Sequence, residues 1–532
     1  MRSEEAGSLI RAGAQPRRFA LARSRQVAAL AIVAWLAWAI GVHPLTLPEE
    51  GRYVGVAWEM LRSGDWLVPT ENGLPFFHKP PLFYWLTALS MQVFGPNAAA
   101  ARLAPLLGAC LATLGFWATT RRHAGSDVAD AAVLVLATMP FFFVAAQFAN
   151  LDMLVAAFIA LAIVFAADAV LARRHGERDR RAVVLAWACM GLGVMAKGLI
   201  GIVLPGLVIL VWLIVSRQAR SIPRLLSPLG IAVFALIVVP WFLAVQQQHP
   251  GFARYFFIYH HFERFVATGF NNARSWWFYL VAVPLLTLPW SLWLVRARLR
   301  GEVDEDADRR AWRQLMWIWL GVVIVFFSLP RSKPVGYAMP ALFPLAFLIA
   351  EPALAAWRRA HRFGRRAVVA SVAGGVVLCL GVVGWAAVRY DRDNTALART
   401  LARLRAPGEP IVFFDEYFFD VPLHARLGAP VPVIADWADP RIAKHDDWRR
   451  ELAEAAPFAP ARGAELLVDA KRGFALRCGK APLWVLVKVI DEAKVADQPE
   501  AKRIAASNRA SIWRLAPQAC PAEPAPQPGS AR

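Results

Sequence analysis

Apolar stretches recur along most of this chain, separated by short polar segments. They fall near 27–43, 98–120, 128–148, 151–172, 182–196, 199–216, 228–246, 276–295, 314–328, 335–357 and 367–388. A helix rising 1.5 Å per residue needs about 20 apolar residues to cross a hydrocarbon layer ~30 Å thick. The pattern predicts a polytopic α-helical membrane protein with about 11–13 transmembrane helices, the higher count following if long runs such as 335–357 divide.

From residue 389 the period changes. Short apolar runs appear at Ile411–Phe414, Val431–Ile434, Glu465–Val468, Trp484–Ile490 and Ser511–Leu515. They alternate with stretches that can be helical, such as 441–456 and 491–507, and this reads as a small α/β domain. The predicted organisation is a basic N-terminus (1–26), a membrane domain (27–388) with interfacial helices in 44–97 and 247–275, and an α/β domain (389–532) with a Pro- and Ala-rich disordered tail.

Composition agrees. The chain is 58% hydrophobic and 18% charged, against about 25% charged in ordinary soluble domains. A disordered chain, a fibrous protein and a simple soluble enzyme are excluded. The net charge of +20 would suggest nucleic acid in a soluble protein. Here the arginines cluster in short loops, at 121–122, 173–181, 217–224, 296–313 and 358–366. Each cluster lies an even number of crossings from the basic N-terminus, so the positive-inside bias makes all of them cytoplasmic. No nucleic-acid partner is expected. The alternate loops, and everything after about 389, then face the non-cytoplasmic side. Cys478 and Cys520 are the two cysteines of the exported domain, where an oxidising compartment permits pairing.

The unusual polar residues collect on that outer side, and ionisable groups at membrane depth default to functional hypotheses. The segment 47–66 carries an apolar stripe of Val54, Val56, Ala57, Met60 and Leu61 at helical spacing, so it predicts a helix lying in the interface with its charges on the wet face. Glu49, Glu50 and Arg52 stand at its start, where an acidic pair also complements the helix dipole. Lys79 opens an apolar helix beside His78 and the pair Pro80–Pro81, in a position suited to an anion. Asp152 follows a tight turn, with N-capping as its plain structural reading. Lys197 lies between two apolar runs, where an interface anchor is the plain reading. The string YHHFERF (259–265) holds His261 and Arg264. Adjacent histidines project about 100° apart on a helix and chelate poorly, so a divalent metal is left open and no cofactor is firmly indicated. Arg331, Lys333 and Tyr337 lie in or beside a short outer turn that is basic against the positive-inside bias.

Together these residues predict a cavity rim of carboxylates (Glu49, Glu50, Asp152) and cations (Arg52, Lys79, Lys197, Arg264, Arg331, Lys333) surrounded by apolar segments. This suits a ligand with an anionic head and a long apolar tail, such as a polyprenyl-phosphate sugar. Cations would hold the phosphate and steady it as a leaving group, while a carboxylate aligns or deprotonates the attacking oxygen.

At these positions the sequence resembles the GT-C glycosyltransferases that use lipid-phosphate sugars, nearest to bacterial aminoarabinose transferases acting on lipid A and related to protein O-mannosyltransferases. The resemblance is carried by E-E-G-R-Y (49–53), S-G-D-W-L-V-P (63–69), K-P-P-L-F-Y-W-L (79–86), L-D-M (151–153), A-K-G (196–198), H-F-E-R-F (261–265), R-S-K-P-V-G-Y (331–337) and an F-F-D segment of the exported domain. It implies a multispan bundle with interfacial helices and a periplasmic α/β domain. It implies catalytic roles for Glu49, Glu50 and Asp152, lipid-phosphate contacts at Lys79 and Arg264, and site-lining positions for Arg52, Lys197 and Tyr337, with His261, Arg331 and Lys333 as further binding candidates. The implied partners are a polyprenyl-phosphate sugar donor, membrane lipids, and lipid A or another envelope acceptor. Two departures stand out: Glu49 replaces the family's usual Asp, and His78 replaces the acidic residue usual before K-P-P. The alternatives are a protein O-mannosyltransferase or another surface-glycan transferase, and a transporter. A transporter is disfavoured because the notable charges lie at one interface and not at mid-membrane.

Overall fold

The computed structural model describes residues 26–173, 176, 179–263, 273–297, 306–359, 362–389 and 393–519, with backbone only at 260–263, 296–297 and 389. Helices occupy every predicted apolar run. Six described helices are long and apolar enough to cross a membrane: Leu103–Ala124, Leu151–Ala172, Pro228–Gln248, Ala307–Ser328, Val335–Arg358 and Arg362–Val388. A seventh crossing is a bent pair, Ser126–Ala137 and Pro140–Ala146, kinked by 72° where Pro140 begins the second helix. The other runs give helices that are shorter, such as Gln26–Ala37 and Ile200–Val215, or carry charge, such as Arg180–Lys197. Counted by length and composition alone, the described spans therefore number fewer than the run count suggests.

The helix Leu151–Ala172 is the hub. It is buried along 94% of its apolar window, against 17% for Pro228–Gln248 and 22% for Arg362–Val388. An α-helix apolar on all faces sits inside a bundle when neighbours cover it. Here Leu103–Ala124 and Arg180–Lys197 do so, and Gly108 and Gly115 allow the close approach: a Cβ at Gly115 would lie 2.3 Å from Leu161.

The predicted interfacial helix forms as Glu49–Ser63, with Val54, Val56, Ala57 and Met60 buried. Its charges do not all face water. Glu59 is 4% exposed and accepts hydrogen bonds from the Thr70 hydroxyl and the Gly73 amide, both at 2.8 Å. It thereby pins the small hairpin β1 (Thr70–Glu71) and β2 (Leu74–Pro75) onto the helix.

The C-terminal region is a six-stranded mixed sheet. Its strands are β3 (Ile411–Phe414), β4 (Val433–Ile434), β5 (Leu467–Val468), β6 (Leu483–Lys488), β7 (Ala501–Ala506) and β8 (Ala510–Leu515), in the order β5-β4-β3-β6-β8-β7. β3 pairs in parallel with β4 and β6, whereas β8 runs antiparallel to β6 and β7. The central strands β3 and β6 are buried almost throughout, which is why they read as continuous apolar runs. β7 was expected as part of a helical stretch over 491–507. Only its start is helical, a 3₁₀ turn ending at Asp491 followed by Glu492–Ala496. The rest, an edge strand with Lys502 and Arg503 exposed, lacks the apolar alternation that marks a strand in sequence. Cys478 is bonded to no other described cysteine, and Cys520 lies outside the described residues.

Candidate active site

One end of the bundle and the α/β domain together enclose a polar region. The turn before Leu151 is capped by Asn150, whose side chain accepts the Asp152 amide at 2.8 Å. Asp152 is thus relieved of the capping role, and its carboxylate forms an ion pair with Lys197 at the end of the neighbouring helix. The Lys197 ammonium lies 4.6 Å from the centre of the Tyr337 ring, with Lys79 and Glu49 both within electrostatic reach. The outer turn presses onto this pair through Gly336, where a Cβ would lie 2.1 Å from Asp152 Oδ2.

Glu49 and Glu50 are adjacent in sequence and have opposite fates. Glu49 is 54% exposed and lies 3.7 Å from Arg52 one helical turn on. Glu50 is fully buried and receives both prongs of the Arg102 guanidinium, at 2.8 and 2.7 Å. It also accepts the Ala149 amide at 2.6 Å and the Thr46 amide at 2.8 Å. Arg102 in turn donates to the carbonyls of Ile40, His43 and Pro44. Burial alone would raise the Glu50 pKa; Arg102 and the two amides hold it below the ordinary carboxylate value. Every Glu50 oxygen is engaged, so this carboxylate ties the first span, the interfacial helix and the 149–152 turn together. Glu50, expected among the catalytic carboxylates, thus has both oxygens taken up by these protein donors in this arrangement.

Arg52 points the other way. It ion-pairs with Glu451 of the helix Trp448–Ala455 in the α/β domain, and its guanidinium lies 5.6 Å from the Tyr53 ring centre and 5.9 Å from Phe419. His78 Nδ1 is 3.9 Å from the same Glu451 carboxylate. Glu71, 4% exposed, faces this group, and burial together with the nearby Glu451 charge pushes its pKa well above the ordinary value. Two further polar atoms buried here, Glu71 Oε1 and the Tyr84 hydroxyl, have no hydrogen-bond partner among the described residues.

The two outer-turn cations also separate. Lys333, 3% exposed, donates to the carbonyls of Arg274 and Pro330 and so clasps the turn itself, while Arg331 is exposed. Lys333, one of the expected binding cations, thus holds the turn through these carbonyls in this arrangement. The segment Arg254–Glu263 is helical and docks on the α/β domain through Tyr255, whose hydroxyl lies 3.0 Å from Glu454. The His261 side chain and Arg264 fall outside the described residues.

The described site residues that converge are therefore Glu49, Arg52, Lys79, Asp152, Lys197 and Tyr337. Sequence reasoning missed Glu451, Glu71, Arg102 and Gly336. Arg102 follows an Ala-rich run at the start of a predicted span, and an arginine there marks a buried partner. Glu451, one of many charges in a soluble-looking helix, carried no such mark. Among the described residues, Asp393, Asp420 and His424 have metal-ligand spacing, within 4.8 Å of one another. However, the Asn394 amides already occupy both Asp420 oxygens at 2.9 Å.

The protein from Pseudomonas paraeruginosa named undecaprenyl phosphate-alpha-4-amino-4-deoxy-L-arabinose arabinosyl transferase is 30% identical over 490 residues, covering 89% of this chain and 80% of its own. The chain belongs to this aminoarabinose transferase family. A transferase of the same name, numbered 2, from Pseudomonas fluorescens is 34% identical over 319 residues, 58% of this chain. That match spans just over half, 56%, of the relative's length. The family model for dolichyl-phosphate-mannose-protein mannosyltransferase matches residues 78–243, from His78 through Lys197 to the span beyond. In three dimensions the chain is similar to ArnT from Cupriavidus metallidurans bound to undecaprenyl phosphate. The TM-score is 0.78 at 25% identity, with 94% of this chain and 99% of that one covered. The fold is therefore GT-C.

Proposed function

We propose that this chain is an inner-membrane glycosyltransferase that moves 4-amino-4-deoxy-L-arabinose, or a similar amino sugar, from undecaprenyl phosphate to lipid A at the periplasmic face. In this reading the N-terminus is cytoplasmic and the α/β domain periplasmic. The carrying observation is the contrast among the site's carboxylates: Glu50 is fully buried, Asp152 is held by Lys197, and Glu49 is exposed beside the cations. The relatives' names supply the donor class.

The acceptor oxygen attacks the anomeric carbon as the bond to the carrier phosphate breaks, and the phosphate leaves with the electron pair. Inversion follows from attack opposite the leaving group. Lys79, and Arg264 by its place in the motif, stabilise the departing phosphate. Arg is suited to this because its planar fork binds phosphate through two donors. Asp152, steered by Lys197, faces the reacting sugar. An acceptor phosphate is already anionic and needs no proton removed, so Glu49 then orients the acceptor or the donor's amino group. A hydroxyl acceptor would require Glu49 to take its proton.

Mass spectrometry of lipid A from cells with and without the gene tests this reading. Loss of a pentosamine- or hexosamine-sized addition is the expected outcome. Unchanged lipid A under inducing conditions rejects that acceptor and leaves a protein or surface-glycan acceptor for the same donor class.

A further inference from the structure

At the end of the bundle opposite the site, a cleft of about 540 Å³ opens between the end of Leu151–Ala172, the start of Arg180–Lys197 and the start of Pro228–Gln248. The hub helix of 22 residues separates it from Asp152 by about 30 Å. Its walls have two natures. Val170, Val183, Val184 and Leu225 give an apolar floor, and Leu226 and Leu229 stand 54% and 61% exposed beside it. Arg173, Arg180 and Arg224 line the same cleft. The one acidic lining residue among those described, Asp179, is 3.7 Å from Arg122 outside the lining and accepts the Ala182 amide at 3.0 Å. Its charge is thereby partly offset, since Arg122 also lies 3.1 Å from Asp168. The positive end of the 21-residue helix beginning at Pro228 opens into the same space.

We propose that this cleft binds the headgroup of an anionic glycerophospholipid, with its acyl chains lying over Leu226 and Leu229. A positive-inside loop needs only arginines spread over a surface. Here three converge on one concavity that also has an apolar exit, which matches a phosphodiester joined to hydrocarbon. Basic pockets between transmembrane helices on the cytoplasmic side hold such headgroups in general. Only the leaflet that supplies the lipid rests on the proposed orientation; binding itself does not depend on the transferase reading.

Native mass spectrometry of the full-length protein, delipidated in detergent and titrated with phosphatidylglycerol, tests this. The Arg173→Ala/Arg180→Ala/Arg224→Ala variant should bind phosphatidylglycerol at least about tenfold more weakly. Binding of phosphatidylethanolamine should be unchanged. The triple Arg→Lys variant should retain most of the binding, which separates loss of charge from loss of fold. Arg362→Ala/Arg366→Ala, basic residues outside the cleft, should bind as the unaltered protein does. Equal phosphatidylglycerol binding by the triple alanine variant overturns the proposal. So does a triple variant that loses undecaprenyl phosphate but keeps phosphatidylglycerol, or competition by inorganic phosphate alone as strong as that by the lipid.

Discussion

Arg52 and Glu451 lie 399 residues apart and form an ion pair across the seam between the interfacial helix and the α/β domain. Glu451 is 5% exposed and Arg52 19%. Burial would lower the Arg52 pKa, yet Glu451, with Glu49 and Glu71 nearby, raises it above the ordinary value. The pair is therefore a charged latch and joins the α/β domain to the helix that carries Glu49. Removing one partner of a buried pair leaves the other uncompensated, at about 3–5 kcal/mol. Glu451→Ala should lower the thermal denaturation midpoint in detergent and increase protease cutting between the membrane and α/β domains. Wild-type behaviour in both assays would mean that the latch contributes nothing.

Glu49→Gln separates the two acceptor chemistries. Loss of a general base typically reduces the rate about 10²–10⁴-fold. A phosphate acceptor needs no base, so the expected loss is below that range and falls on KM as well as kcat. In vitro transfer from the undecaprenyl-phosphate sugar to lipid A measures it. Full activity in this variant would remove Glu49 from both roles.

Gly336→Ala should act through Asp152. The added methyl would lie 2.1 Å from Asp152 Oδ2, so either the outer turn or the Asp152–Lys197 pair must shift. Misplacing a reacting group by about 1 Å can cost on the order of 10²-fold. The expected result is a kcat close to that of Asp152→Asn with the protein still folded. Near-native kcat would place the turn's packing outside the site's requirements.

Glu71 predicts a pH dependence. Its folded pKa is raised by burial and by Glu451. Between the ordinary carboxylate value and that raised value, the folded state holds more protons than the unfolded one, so stability falls as pH rises. The contribution is complete below the unfolded pKa and is lost as pH passes upward through the folded one. Denaturation midpoints should therefore decline as pH rises above the ordinary carboxylate pKa, a decline that Glu71→Gln flattens. An equal decline in the variant would assign the slope to other groups.

Much of this molecule was written locally. The helices follow from runs of apolar residues, because an unpaired backbone group in hydrocarbon costs several kcal/mol and the helix pairs all of them. β3 and β6 fell where apolar runs placed them, while β7 escaped because an edge strand buries too little to need a pattern. Glu49, Lys79, Asp152 and Lys197 stood out because charge beside a span is rare, and the structure does gather them.

The sequence alone determined which residues had to leave water and which charges had to lie at the membrane's edge, since both follow from transfer free energies that each segment carries by itself. Only the tertiary structure decided what those charges do. Glu49 and Glu50 are chemically identical neighbours, but successive residues on a helix point about 100° apart. One turns toward solvent and the other toward Arg102. Likewise Lys197 meets Asp152, whereas Lys333 meets backbone carbonyls. A carboxylate's role depends on which donors surround it, and those donors come from segments tens to hundreds of residues away.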